Sequence, residues 1–250
     1  MVRAALFVPG DRPDRFAKAA AAGADTIILD LEDAVAPAAK PAAREHVRAW
    51  LAGGGPGLVR INARGTEWHD DDVALVTEFG CPVMIPKAES AADVFGTAYP
   101  LIETAAGLFN VREICAAPGV VRPAFGGVDL AAQLGVSPDD RTALLHARSV
   151  LVLAAAAAGT AAPLDGVTTD LTSDDRVRED AQHAAALGFG GKLCVHPRQV
   201  GPVLAAFTPS EEDLAWAREV LAASTGGVGV VGGRMVDKPV VDRARRLLSA

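Results

Sequence analysis

Short apolar runs, rich in β-branched residues, recur along the chain. Each closes on a polar or Gly/Pro break and is followed by a stretch with helical spacing. Eight such runs lie at 4–9, 26–33, 58–62, 82–88, 101–104, 120–127, 166–171 and 192–197. Helical periodicity predicts helices over 13–22, 41–52, 68–79, 90–97, 107–116, 141–158, 174–187 and 211–223. Strand alternating with helix, with no long charged linker, predicts a parallel sheet covered by helices. Eight repeats are the number that closes a (β/α)8 (TIM) barrel, whose usual length is about 250 residues. The competing arrangement is an open doubly wound sheet. No G-x-G-x-x-G follows the first strand, however, where the chain reads VPGDRPDRF. The glycine density of STGGVGVVGG at 224–233 predicts a hinge or lid connection. The expected division is therefore a barrel over 1–223 and a hinge with a short C-terminal lid segment over 224–250.

In such barrels chemistry sits at the C-terminal ends of the strands, and here those ends carry groups that are costly to bury alone. They include Asp30, Glu32 and Asp33, then Arg60 and Asn62, Lys87, Glu103, Asp129, Asp170 and His196. Glu103 ends LIET, and Asp129 follows the Gly126–Gly127 turn of FGGVD. Two carboxylates from neighbouring strands suit a hard divalent cation such as Mg²⁺, which prefers oxygen and keeps coordination positions open. The bland alternative is that they cap the helices that follow. Arg60, within VRIN, suits two-point recognition of a carboxylate, or else an internal ion pair with an acid of the second strand. Lys87, in IPKAES, reads as a cation balancing an acidic mouth, with a Schiff-base amine as the other option. The period of two places Asp30 and Glu32 on one face and Asp33 on the other. His196 reads as a hydrogen-bonded loop residue, and His46, His69, His146 and His183 as surface residues. Arg12, with Arg15 and Lys18 on the next helix, reads either as a phosphate contact or as a solvated face.

Composition narrows the classes. Half of the 250 residues are apolar, and 24 basic against 31 acidic residues give a net charge of −7. That balance argues against a nucleic-acid partner. Three scattered cysteines form neither a disulfide framework nor a zinc cluster, which predicts a reducing, cytoplasmic setting. The uncharged stretch 149–164 falls short of a bilayer span, so no membrane partner is expected.

The blocks RAALFVPGDRPDRFAKA, DTIILDLEDAV, VRINARGTEWHDDD, MIPKAES, LIETAAGLFNVREI, AFGGVDLAAQLG, KLCVHPRQV and GGRMVDKPVVDRAR resemble the HpcH/HpaI aldolase–citrate lyase β-subunit family. The resemblance is to its citrate-lyase-β-like and malyl-/citramalyl-CoA lyase branch. It implies a (β/α)8 barrel, a homotrimer or a hexamer of trimers, and Mg²⁺ on Glu103 and Asp129. It implies Arg60 as the contact to the substrate carboxylate and carbonyl, with Glu32 and Asp33 near metal-bound water. Asp237, in GGRMVDKP, matches an acid that acts from a lid on the neighbouring subunit of CoA-thioester lyases, which free 2-oxo-acid aldolases of the family lack. CoA phosphates are expected near Arg12, Arg15 and Lys18. The implied activity is Mg²⁺-dependent carbon–carbon cleavage of a malyl-, citramalyl- or citryl-type acyl-CoA to an acyl-CoA and a 2-oxo acid. The alternatives are a class II aldolase on free 2-oxo acids, or a citrate lyase β-subunit working on an acyl-carrier thioester.

Overall fold

A computed structural model describes residues 2–224 and 229–248. Eight parallel strands form a closed barrel: β1 (Ala4–Pro9), β2 (Thr26–Asp30), β3 (Leu58–Arg60), β4 (Val83–Ile85), β5 (Ala98–Ile102), β6 (Ala124–Phe125), β7 (Leu164–Asp165) and β8 (Gly191–Cys194). Ala4–Leu6 of β1 pair with Lys192–Cys194 of β8, which excludes the open sheet. Each strand sends one apolar residue into a common interior layer: Ala5, Ile28, Leu58, Met84, Leu101, Ala124, Leu164 and Leu193. Side chains alternate along a strand, so the residue two positions on points inward again, nearer the C-terminal mouth. Asp30 follows Ile28, Arg60 follows Leu58, and Glu103 follows Leu101 in this way. The apolar plug below thus fixes which polar groups enter the mouth above.

The structure corrects several sequence expectations. The run at 166–171 is loop, and β7 is only Leu164–Asp165. The run at 120–127 yields only Ala124–Phe125 as strand. The helix expected over 90–97 is a single 3₁₀ turn, Ala91–Asp93. Asp129 lies not at a strand tip but in the first turn of the helix Gly127–Leu134. The cap of the helix Ala105–Phe109 is the Thr104 hydroxyl, which accepts from the Gly107 N–H, and not Glu103.

Two compact units are distinguished, Val2–Ala205 and residues 206 onward. In the second, the helices Glu211–Ala223 and Lys238–Leu248 pack together around Ala217, Val220, Val236, Val241 and Ala244. A two-stranded antiparallel ribbon, β9 (Gly229–Val231) with β10 (Arg234–Val236), completes this unit. The helix Glu211–Ala223 therefore belongs with the C-terminal segment. Of the expected glycine hinge, residues 225–228 lie outside the described residues.

Barrel closure leaves no room at Gly191, where a Cβ would meet the Arg3 and Val2 carbonyl oxygens at 2.6 and 2.7 Å. Gly201, in the helix Val200–Phe207, has nothing within 4 Å of the corresponding position. Gly191→Ala is expected to cost about 1–3 kcal/mol through overpacking against backbone. Gly201→Ala should be neutral, or gain about 0.5–1 kcal/mol from helix propensity. Urea unfolding of the two variants beside the parent measures both.

Candidate active site

Asp30, Glu32, Asp33, Arg60, Lys87, Glu103 and Asp129, all singled out in the sequence, meet at the barrel mouth. Arg60 donates through Nε and Nη2 to the two oxygens of Asp30, at 2.7 and 2.6 Å, in a buried two-point pair. Its Nη1 lies 3.1 Å from Glu32 Oε2 and 3.9 Å from Asp33 Oδ2. Phe7 lies under the guanidinium, with its ring centroid 4.7 Å from Cζ. The ion pair anticipated as an alternative role of Arg60 is thus present. A guanidinium carries five N–H donors, however, and the fork to Asp30 uses only two. Arg60 also lines a cavity with Glu103 and Asp129, so its remaining donors stand at the edge of that space. The surrounding acids raise the Arg60 pKa despite burial, and the group stays charged at every working pH.

Glu103 is 1% exposed. Its Oε1 accepts the Lys87 N–H at 2.8 Å. Lys87 itself has φ 47°, a left-handed conformation that is strained for a side-chain-bearing residue and turns its amide toward the carboxylate. Gly126 sits so close that a Cβ there would lie 2.2 Å from Glu103 Cβ and 2.6 Å from Oε2. Only glycine lets β6 pass this carboxylate. Burial pushes the Glu103 pKa up to about 8, and the charges of Glu32 and Asp129 push in the same direction. The amide and the ammonium charge of Lys87 oppose this shift and are outweighed. Asp129 is half-buried and lines the same cavity with Phe7, Arg60, Phe125 and Val167.

Glu32 bridges the two cations. Its Oε1 accepts from Lys87 Nζ at 2.6 Å, and its Oε2 faces Arg60. Burial raises the Glu32 pKa, with Arg60 and Lys87 opposing. Burial lowers the Lys87 pKa, but the hydrogen bond and charge of Glu32 outweigh it, so the net shift is upward. An ammonium held this way serves as a charge-balancing cation and is ill-suited to be a neutral amine nucleophile. Asp33 is largely exposed and lines a neighbouring groove with Glu32, Lys40, Asn62 and Lys87.

Asp30 and Asn62, both read from the sequence as polar strand-end groups, hold this constellation in place together with Lys40, Asp72 and Arg44, which the sequence reading missed. Asp30 also accepts the N–H groups of Glu32 and Ala34, tying the chain after β2 to the same carboxylate that grips Arg60. Lys40 is buried, and its Nζ donates to the Leu31 and Glu32 carbonyls and to Asn62 Oδ1, at 2.8, 2.7 and 2.6 Å. Asn62 is fixed in turn by Asp72, which Arg44 pairs at 2.7 Å. Lys40, in the stretch PAAKPAA, carries no spacing that marks it as buried. Asp30 offered a signal, because it shares the inward face of β2 with Ile28.

Other expectations are not drawn together here. Arg12 is engaged by Asp14, and Arg15 and Lys18 are exposed. None of the three lines the cavity that holds Glu103. Asp237, in the second unit, accepts the Val240 and Val241 N–H groups and so caps the helix Lys238–Leu248. His196 caps the turn Pro197–Gln199, and Asp170 is exposed and caps the turn at Thr172–Ser173. His46, His69 and His183 are half-buried rather than on the surface.

The donors facing the cavity are carboxylate oxygens, the set a hard cation takes. Among the described residues no group of three or more His, Cys, Asp or Glu is disposed to saturate a metal. A cation here would therefore rest on two protein carboxylates and leave positions open for water or substrate. Also among the described residues, no helix is long and apolar enough to cross a membrane.

The family model described as HpcH/HpaI aldolase/citrate lyase matches residues 3–98 and 99–197. A citrate lyase subunit beta-like protein of Mycobacterium tuberculosis is 46% identical over 97% of this chain and 93% of its own length. An L-malyl-CoA/beta-methylmalyl-CoA lyase of Cereibacter sphaeroides is 35% identical over 97% of this chain and 92% of its own. Among solved structures, protein CitE of M. tuberculosis in complex with magnesium, acetoacetate and coenzyme A superposes with a TM-score of 0.87. The identity there is 43%, covering 99% of this chain and 97% of that one. An eight-stranded barrel with acids and an arginine at its mouth, matched along its length by these relatives, belongs to the HpcH/HpaI aldolase/citrate lyase family, and the chain is a lyase of that family.

Proposed function

We propose that the protein is a cytoplasmic, Mg²⁺-dependent lyase that reversibly cleaves a malyl-, citramalyl- or citryl-type acyl-CoA into an acyl-CoA and a 2-oxo acid. The observation that carries this reading is the Glu103 carboxylate, buried beside Asp129 and Glu32, where the charge of Lys87 does not offset burial and two like charges. Glu103 and Asp129 would hold the ion. When bound, it supplies Lewis-acid compensation for charge that develops on the oxo-acid oxygen. The relatives support the cofactor and the substrate class: the CitE structure contains magnesium and coenzyme A, a second contains magnesium and pyruvate, and the Cereibacter enzyme is named for malyl-CoA.

The chain's own residues supply the rest. Asp30 locks one edge of Arg60 and leaves its other donors to grip the carboxylate of the oxo acid. Glu32 holds Lys87 and faces Arg60, fixing both cations at the mouth. In the cleavage direction the bond between the two carbons breaks, the hydroxyl loses its proton, and the carbon next to the thioester gains one. Asp237 is assigned that carbon-bound proton, as acid after cleavage and base in condensation, acting from a lid of residues 224–250. The lid is assigned to a neighbouring subunit, in a trimer or a hexamer of trimers. Arg12, Arg15 and Lys18 are assigned to CoA phosphates, and Asp33 to solvent near the ion.

Glu103→Gln and Asp129→Asn are each expected to weaken Mg²⁺ binding and to lower turnover together, by at least about 10–100-fold. Titration calorimetry with Mg²⁺ and assays on the same preparations check this, and unaltered Mg²⁺ affinity would remove both residues from the metal site. Asp30→Asn weakens one edge of the fork and should raise KM for the oxo acid in the condensation direction while Mg²⁺ affinity holds. Asp237→Ala should lower turnover and leave Mg²⁺ and oxo-acid binding intact, and full activity on every CoA ester tested would refute the lid assignment. The substrate is read by incubating malyl-, citramalyl- and citryl-CoA with and without Mg²⁺ and following products by mass spectrometry. A 2-oxo acid and an acyl-CoA are expected. Free CoA with an intact hydroxy acid would mean thioester hydrolysis, the activity named for a 35% identical Cereibacter sphaeroides relative. Cleavage of free 2-oxo acids alone would mean an aldolase.

A further inference from the structure

Leu164 and Leu193 point into the barrel, so their neighbours Asp165 and Lys192 point outward, beneath the helices Leu145–Ala158 and Asp174–Leu187. Charged groups are unusual there, and both are almost wholly buried. Asp165 accepts from Arg148 Nε at 2.9 Å with one oxygen and from Lys192 Nζ at 3.2 Å with the other. Lys192 also donates to the Gly166 carbonyl. Further out, Asp180 accepts from Arg141 at 2.7 Å and from the Thr168 hydroxyl at 2.9 Å, with Arg176 Nε at 3.5 Å. Both oxygens of the buried Asp165 and of the half-buried Asp180 are therefore already engaged.

Arg141, Arg148, Asp165, Arg176, Asp180 and Lys192 line a partly open cavity with room for about one solvent-sized species, together with Pro138, Asp139 and His183. Two buried polar atoms of lining residues have no hydrogen-bond partner, Arg148 Nη1 and His183 Nε2. Arg148 is 9% exposed. Arg141, Arg148, Arg176 and Lys192 bring four positive charges to the lining, against three negative from Asp139, Asp165 and Asp180. Asp139 and Glu179 are mostly exposed and Arg141 and Arg176 about a third exposed, so solvent screens these four, and at the buried end Arg148 and Lys192 face the single charge of Asp165. Burial, with Arg141 and Arg148 beside it and Asp165 and Asp180 opposing, lowers the His183 pKa, so the imidazole is neutral at pH 7. It can still donate from Nε2 in one tautomer. The unmet need is an acceptor carrying negative charge. A water would satisfy hydrogen bonds and leave the charge.

We propose that this cavity is a binding site for one small monovalent anion of chloride size, held by Arg148 Nη1 and His183 Nε2 between β7, β8 and the two helices that cover them. It is distinct from the cleft that holds Glu103, although Val167 lines both. The anion completes the coordination of Arg148, whose guanidinium also stacks on Phe125, 4.8 Å from its ring centroid.

The test uses the intact protein crystallised with sodium bromide, with diffraction data collected at the bromine absorption edge. An anomalous peak between Arg148 and His183 is expected, and solvent density there without anomalous signal would overturn the proposal. In solution, thermal unfolding is followed at constant ionic strength while chloride or bromide replaces gluconate, which is too large for the cavity. A saturable rise in Tm of about 2–4 °C is expected with the two halides. Tm independent of the anion would overturn the site as one that fills in solution. Lys192→Met removes one positive charge and should abolish the halide-dependent shift. If that variant fails to fold, the bromide crystal and the parent protein's titration still decide.

Discussion

The site depends on a carboxylate forced into a dry place beside others of its own sign. Glu103 is placed inward by the alternation that also buries Leu101, and Gly126 leaves room for it only by having no side chain. Its immediate compensation is one backbone N–H, delivered by a residue in a strained conformation. A fold that only sought stability would have an apolar residue at this position. The arrangement becomes favourable when positive charge arrives, which is why a metal-assisted reading follows from the electrostatics as well as from the family.

Around that acid, the mouth is organised as linked pairs. Asp30 holds Arg60, Arg60 faces Glu32, and Glu32 holds Lys87, whose own amide returns to Glu103. Lys40, Asn62 and Asp72 brace the chain after β2 from behind. Displacing any member alters the field at the others. The rigidity comes from burial, because charge pairs in such surroundings are screened far less than those on the surface.

Much of this was legible in the residues, and the failures have physical causes. Ile28–Asp30, Leu58–Arg60 and Leu101–Glu103 each carry the period of two, so the inward polar face could be read from spacing. The seventh run is placed two residues late because Val167 looks like a strand residue, whereas the ladder holds Leu164–Asp165; the sixth is drawn too long because Val120 makes only an isolated bridge to Ala98 and the ladder holds Ala124–Phe125. Asp129 reads as a strand-tip residue because the Gly126–Gly127 pair looks like a turn; the chain instead enters a helix directly at Gly127. Lys40 and His183 were invisible because their burial depends on tertiary neighbours that no local pattern encodes. The helices Glu211–Ala223 and Lys238–Leu248 read as parts of different segments because the ribbon β9–β10 separates them in sequence, whereas in the fold they pack directly on each other.

Whether the Glu103 and Asp129 carboxylates share one cation is decided by a crystal structure of the protein grown with magnesium and oxalate. A single octahedral ion touching one oxygen from each, with oxalate completing the sphere and reaching toward Arg60, is the predicted result. Carboxylates turned away from each other, with the ion elsewhere or bound by neither, would contradict it.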